Sequence, residues 1–125
     1  MHRIITLNNA LKDFLDDAGL NIKDVLEAMD EDSQGIIESL LRRVNISRRE
    51  ALKLEQAYSA KQLNLLIFVL HVFYYSNPSG YYKGFLIYPP REMVVGEDGK
   101  ITRRGIELII KSLGLKPSGL RGARV

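Results

Sequence analysis

The side chains of this 125-residue chain that could do chemistry are two histidines, fifteen carboxylates and eighteen lysines and arginines. The histidines do not form a catalytic pattern. His2 and His71 lie far apart in sequence, and His71 sits inside the apolar run "KQLNLLIFVLHVFYYS", where a hydrogen-bonded core or interface histidine is expected. The acids offer no metal site by spacing. "EAMDEDSQG" holds Asp30 and Asp32 ahead of Gly35, but it lacks the glycine and terminal glutamate positions of a calcium loop, which leaves a solvated turn between helices. "GYYKG" and "RRG" are too short to cradle a phosphate as glycine-rich loops do, and the absence of cysteine excludes disulfides and thiolate metal ligands. The expectation is a protein that is not an enzyme and carries neither cofactor nor metal.

The bases are distributed in a way that the net charge of +3 conceals. Residues 1–41 hold nine acids and three bases, a net −6, whereas residues 42–125 hold six acids and fifteen bases, a net +9. A basic portion of that size suits a polyanion, and the acidic portion is better placed facing away from it or toward a protein partner. Solvated helix faces of opposite sign that attract one another are the plainer alternative.

Helical periodicity organises the first three-fifths of the chain. "LNNALKDFLDDAG" puts Leu7, Leu11, Phe14, Leu15 and Ala18 on one face and stops at Gly19. "NIKDVLEAMD" repeats the pattern with Ile22, Val25, Leu26 and Met29 behind an Asn21 cap, and "SQGIIESLLRRV" does so with Ile36, Ile37, Leu40, Leu41 and Val44 after Asp32 or Ser33. Ser47 and Glu50 form a capping box, which predicts a helix from Arg48 to about Tyr58 with Ala51, Leu54 and Tyr58 inward. A short break with Ser59 as cap leads into the apolar run. Its eleven residues Leu65 to Tyr75 cannot span a bilayer, because the whole segment as a helix is on the order of 22 Å against a hydrocarbon core of about 30 Å. A central helix, buried nearly all round beyond its first turn, is expected.

After Ser76 the pattern changes. "NPSG" is turn chemistry, "YYKGFLIY" is aromatic and β-branched, and "PPR" interrupts it. "EMVV" reads as extended again, and Asp98-Gly99 suits a tight hairpin turn. A small antiparallel sheet between Tyr81 and Ile101 is predicted, followed by a Thr102-capped helix with Ile106, Ile109, Ile110 and Leu113 inward and a stop at Gly114. The fold class is mainly α with a small antiparallel hairpin or sheet. One domain is expected, with acidic N-terminal helices over 1–32, a core over 33–114 and a flexible basic tail over 115–125.

From Gln34 to Gly114, about two thirds of the chain, the succession "IIESLLRR", "ISRREALKLEQ", "YSAKQLNLL" and a hairpin ending "EDGKITRRGIELI" resembles the helix, helix, recognition helix, wing and closing helix of winged-helix proteins. The resemblance implies a small DNA-binding transcription regulator. On it, Arg42, Arg43, Arg48, Arg49, Lys53, Arg103 and Arg104 neutralise phosphates and set position. Readout is confined to the first turn of the recognition helix, where Ser59, Lys61, Gln62 and Asn64 are polar, Gln62 and Asn64 matching adenine edges and Lys61 guanine. Arg91, at Pro89-Pro90-Arg91, stands at a candidate wing tip, the other being the acidic Glu97-Asp98-Gly99-Lys100. Arg121 and Arg124 reach a minor groove or a neighbouring phosphate. The plainer reading of the arginines is a solvated helix face, with Arg103 and Glu107, then Glu107 and Lys111, paired at i,i+4. Family members often pair to read two half-sites, so the implied partners are duplex DNA and a second copy.

The alternative class is a helical interaction module or a small subunit of a nucleoprotein assembly, including a viral accessory protein. It would dock a protein through the acidic helices of Leu7 to Asp32 or through aromatic surface at Tyr74, Tyr75, Tyr81 and Tyr82. "MHRIITLNNALKDF" has no signal-peptide pattern, and with the missing cysteine this leads to the expectation of a cytoplasmic protein that does not meet a membrane.

Overall fold

The computed structural model describes residues 3–28 and 33–117. The chain is mainly helical, with a small mixed three-stranded sheet. The elements in order are β1 (Ile4–Thr6), α1 (Leu7–Asp17), α2 (Ile22–Ala28), α3 (Ser33–Arg43), α4 (Arg48–Ala57), α5 (Ala60–Val69), a π-helical segment (Leu70–Tyr75), β2 (Tyr81–Tyr82), β3 (Phe85–Tyr88), α6 (Arg91–Val94) and α7 (Arg103–Leu113).

Local chemistry explains most of the boundaries. Thr6 caps α1 by accepting from the Asn9 amide at 3.3 Å, and the helix closes when Leu20 N reaches back to Leu15 O at 2.8 Å with Gly19 in the left-handed region. Asn21 caps α2, accepting from Asp24 N at 2.9 Å. Two capping boxes come in succession. Ser47 and Glu50 begin α4, and Ser59 and Gln62 begin α5, so only Tyr58 and Ser59 separate the two helices. Thr102 caps α7 and Gly114, at φ 71°, ends it. The expected cap at Asp32 lies outside the described residues.

One hydrophobic core runs from the N-terminal helix to the last. Leu7, Leu11 and Leu15 of α1, Ile36 and Leu40 of α3, Leu63 and Leu66 of α5, and Ile106 and Ile109 of α7 belong to the same buried cluster, so α1 is part of the core and not an appendage. Edge-to-face rings stitch α1 to the apolar run, and the apolar run to β2. Phe14 meets Phe68 at 5.9 Å and Phe73 at 6.1 Å, and Phe73 meets Tyr82 at 5.6 Å.

Several expectations are corrected. The run "YYKGFLIY" is two strands, because Lys83 and Gly84 both have positive φ (55° and 83°) and make the two-residue turn that the twist of a hairpin favours. "EMVV" is helical: Arg91–Val94 forms α6, and only Val95 is extended, bridging Ile101. Asp98-Gly99 therefore turns a short separate loop, closed by Gly96 N on Lys100 O at 2.8 Å. The sheet is mixed, since β3 is central and pairs in parallel with β1, with Ile5 opposite Ile87. A three-residue strand ahead of an amphipathic helix has too little alternation to register in sequence.

The apolar run is α-helical to Val69 and then widens into the π-helical segment, with Ser76 N bonded to His71 O at 2.9 Å. It is not buried all round: Ile67, Phe68 and Val72 are half-buried and His71 is exposed. Tyr74, for which the sequence left partner surface and packing both open, is 1% exposed, and its hydroxyl donates to Pro89 O at 2.6 Å. Among the described residues no helix is long and apolar enough to cross a membrane.

Candidate nucleic-acid interface

The basic residues are positioned by three helix ends, two held together by backbone pairing and the third by a side-chain ion pair. Val44, directly after α3, bridges Ile101, directly before the cap of α7; Ile101 N donates to Arg43 O at 3.0 Å and Asn45 N donates to Ile101 O at 2.8 Å. The C-terminal turn of α3, carrying Arg42 and Arg43, therefore lies beside the start of α7, carrying Arg103 and Arg104. The start of α4, carrying Arg48 and Arg49, is tied to the same place, because Arg103 Nε lies 3.0 Å from Glu50 Oε2. The helix ends that carry six arginines, up to 62 positions apart in sequence, are tied in this way.

Their states differ. Arg48 pairs with Glu38 at 3.0 Å where both side chains are largely exposed, so the pair contributes little and exchanges readily for another anion, whereas Arg103, itself exposed, pairs with the half-buried Glu50. The expected Arg103–Glu107 pair is not the one formed, since α7 presents Arg103 to α4. Arg42, Arg49 and Arg104 are exposed and have no ion pair among the described residues; Arg42 reaches Ser39 Oγ at 3.5 Å. Arg43 is half-buried, and its carbonyl accepts the Tyr75 hydroxyl.

Lys53 sits further along α4, on a groove of about 480 Å³ between α4 and α7. Leu54, Tyr58, Ile106 and Ile110 line the groove together with Glu50, Glu107 and Lys111. Arg103 lines it as well, so three bases and two acids share the groove and their charges largely offset.

The first turn of α5 does not offer the groups expected of it. Ser59 and Gln62 are spent on each other's backbone: Ser59 Oγ accepts Gln62 N at 3.2 Å and Gln62 Oε1 accepts Ser59 N at 2.9 Å. The remaining Gln62 Nε2 donates to Lys116 O at 3.3 Å, so the bidentate adenine pairing needs groups already in use. Lys61 and Asn64 are half-buried. Sequence reasoning had one signal for this, the S-x-x-Q spacing of Ser59 and Gln62, which is a capping box as much as Ser47 and Glu50 are.

Arg91 is not at a wing tip. It opens α6, is half-buried, and donates from Nε to the Tyr74 carbonyl at 3.2 Å, which serves the end of the π-helical segment. Arg121 and Arg124 lie outside the described residues.

Sequence reasoning missed the part played by Tyr75. Its hydroxyl donates to Arg43 O and accepts from Ile101 N at 3.4 Å, tying the π-helical segment to the junction of α3 and α7. Burial raises the Tyr75 phenol above its ordinary value; the bonded Ile101 amide and the positive charge of Arg43 and Arg91 oppose this, while Asp98 adds to it. Among the described residues no group of three or more histidines, aspartates and glutamates is arranged to hold a metal ion.

Comparison of the chain with protein-family models, with curated proteins and with solved structures finds no match.

Proposed function

We propose that this protein binds nucleic acid, duplex DNA first, as a small winged-helix type regulator whose main contact is the cluster of arginine-bearing helix ends. The observation that carries this is the junction at Val44 and Ile101, which sets the end of α3 with Arg42 and Arg43 beside the start of α7 with Arg103 and Arg104, while the Arg103–Glu50 pair adds the start of α4 with Arg48 and Arg49; among the described residues, Glu38 and Glu50 are the carboxylates paired with these arginines. Guanidinium groups so gathered neutralise successive phosphates, and the α4 and α7 N-termini add backbone N–H groups of favourable polarity. The helix, two-residue turn and helix of α4 and α5 support the family reading. With Gln62 and Ser59 engaged in capping, binding is mainly positional, with little base readout from α5. The logarithm of duplex affinity should fall linearly with the logarithm of salt concentration, and a salt titration with duplex and single-stranded DNA tests this, with mass measured in parallel to detect a homodimer. No affinity for either at low salt would overturn the proposal.

A protein partner is the alternative, and exposed apolar side chains favour it. Ile4 is 64% and Tyr88 47% exposed on the outer face of the sheet, and Leu20 and Ile22 are 47% and 43% exposed at the start of α2. Replacing Ile4 and Tyr88 with Ser would abolish a protein complex made through this face and leave DNA binding intact.

A further inference from the structure

A shallow cleft between the last turn of α3 and the π-helical segment gathers donors for an anion. It has a volume of about 310 Å³ and is lined by Arg42, Arg43, His71 and Tyr75. Two guanidinium groups and an imidazole are all able to donate N–H bonds, and no carboxylate lines the cleft. His71 has no packing reason to be there. It is the exposed residue of a segment whose Leu70, Phe73 and Tyr74 are buried, and it makes no hydrogen bond from its ring among the described residues.

The C-terminal end of a helix ordinarily repels an anion, because its last carbonyls carry partial negative charge. Here two of the last four are engaged: Arg43 O accepts both the Tyr75 hydroxyl and Ile101 N, and Leu40 O accepts Val44 N at 2.7 Å. The wider π turn brings His71 and Tyr75, four residues apart, to the side that faces α3, so the tyrosine anchors the wall while the histidine lines the opening. An opposing charge is Asp98, which acts on the Tyr75 phenol, accepts from Asn45 Nδ2 at 3.4 Å and holds its own turn through Lys100 N.

We propose that this cleft seats one backbone phosphate of a bound nucleic acid, with Arg42 and Arg43 giving charge-assisted bonds and His71 a ring N–H, and that it thereby sets the register of the nucleic acid on the arginine cluster. The inference rests on the nucleic-acid reading. The same donors accept a free phosphate, so the test separates the two.

Duplex binding is measured by fluorescence anisotropy for the unmodified protein, Arg42→Ala, His71→Ala and Asp98→Asn. The His71 ring resonances are followed by NMR as duplex or inorganic phosphate is added, and thermal melts establish that each variant is folded. Arg42→Ala is expected to weaken duplex binding roughly eightfold near 0.1 M salt and to lower the salt slope by about one. His71→Ala should weaken it as well, Asp98→Asn should strengthen it, and the ring resonances should move with duplex. If the unmodified protein binds duplex but the His71 resonances stay still and both Ala variants bind within twofold of it, the cleft is not a phosphate site and the broader function stands. Failure of the unmodified protein to bind duplex at low salt would sink the broader reading. A saturable shift of His71 with inorganic phosphate in that case would reassign the cleft to a free phosphate and overturn the backbone assignment.

Discussion

Gly105, in the first turn of α7, lies so close to Val94 at the end of α6 that a Cβ built on it would stand 2.6 Å from Val94 Cα. The contact is backbone against helix, reinforced by Thr102 N on Val94 O at 2.8 Å, so neither side has a flexible end that could give way. Gly105→Ala, which elsewhere in a helix would be favourable, should here destabilise the protein by about 1 to 3 kcal/mol through overpacking. Urea denaturation checks this; unchanged stability would mean that α6 yields freely.

Leu66 and Leu70 are fully buried in the middle of the apolar run. Cutting either to Ala should cost about 2 to 5 kcal/mol, as removal of a buried leucine side chain generally does. A midpoint within a degree of the unmodified protein in thermal melts would contradict their place in the core.

Tyr74 predicts a limit on the alkaline side. Its burial pushes the phenol far above the ordinary tyrosine value of about 10, so the folded state holds the proton more tightly than the unfolded chain does. The unfolded chain begins to lose that proton first as pH rises. Stability is therefore fully present below about pH 10 and declines above it by up to about 1.4 kcal/mol per pH unit from this one group. Tyr74→Phe should flatten that decline while losing about 1 kcal/mol or more at neutral pH, because Pro89 O loses its hydroxyl donor. Denaturation from pH 8 to 11 on both proteins gives the comparison.

Ser59 and Gln62 should behave as caps. Ser59→Ala is expected to cost about 0.5 to 2 kcal/mol of stability. Gln62→Ala should leave the sequence preference of any bound DNA unchanged; a relaxed preference at one base would restore α5 as a reading helix.

Among the described residues, Arg49 and Arg104 have no carboxylate to release before meeting a phosphate. Their joint replacement by Ala should lower the salt slope of duplex binding by about two while melting temperature stays put. A slope equal to that of the unmodified protein would remove them from the interface.

What the sequence by itself determined was the set of elements governed by neighbouring residues. Ser47 with Glu50, Asn21, Thr102, Gly19 and Gly114 act within one turn of their own position, so the starts of α2, α4 and α7 and the stops of α1 and α7 follow from short-range hydrogen bonding and backbone sterics. The apolar faces of α1, α3 and α7 were equally legible, because a helical period repeats locally. Tertiary structure decided the rest. The strand Ile4–Thr6 exists because β3 offers it a ladder 82 residues away in sequence, and "EMVV" winds into α6 because Val94 must meet Gly105 and Thr102. The roles of charged groups were the least legible. Arg103 chose Glu50 over Glu107, and Arg91 turned inward to Tyr74 O, because a long flexible side chain takes the partner that packing brings within reach. The placing of the α3, α4 and α7 ends together depends on the bridge between Val44 and Ile101 and on the Arg103–Glu50 pair, and contacts between residues so distant leave no local pattern for the sequence to display.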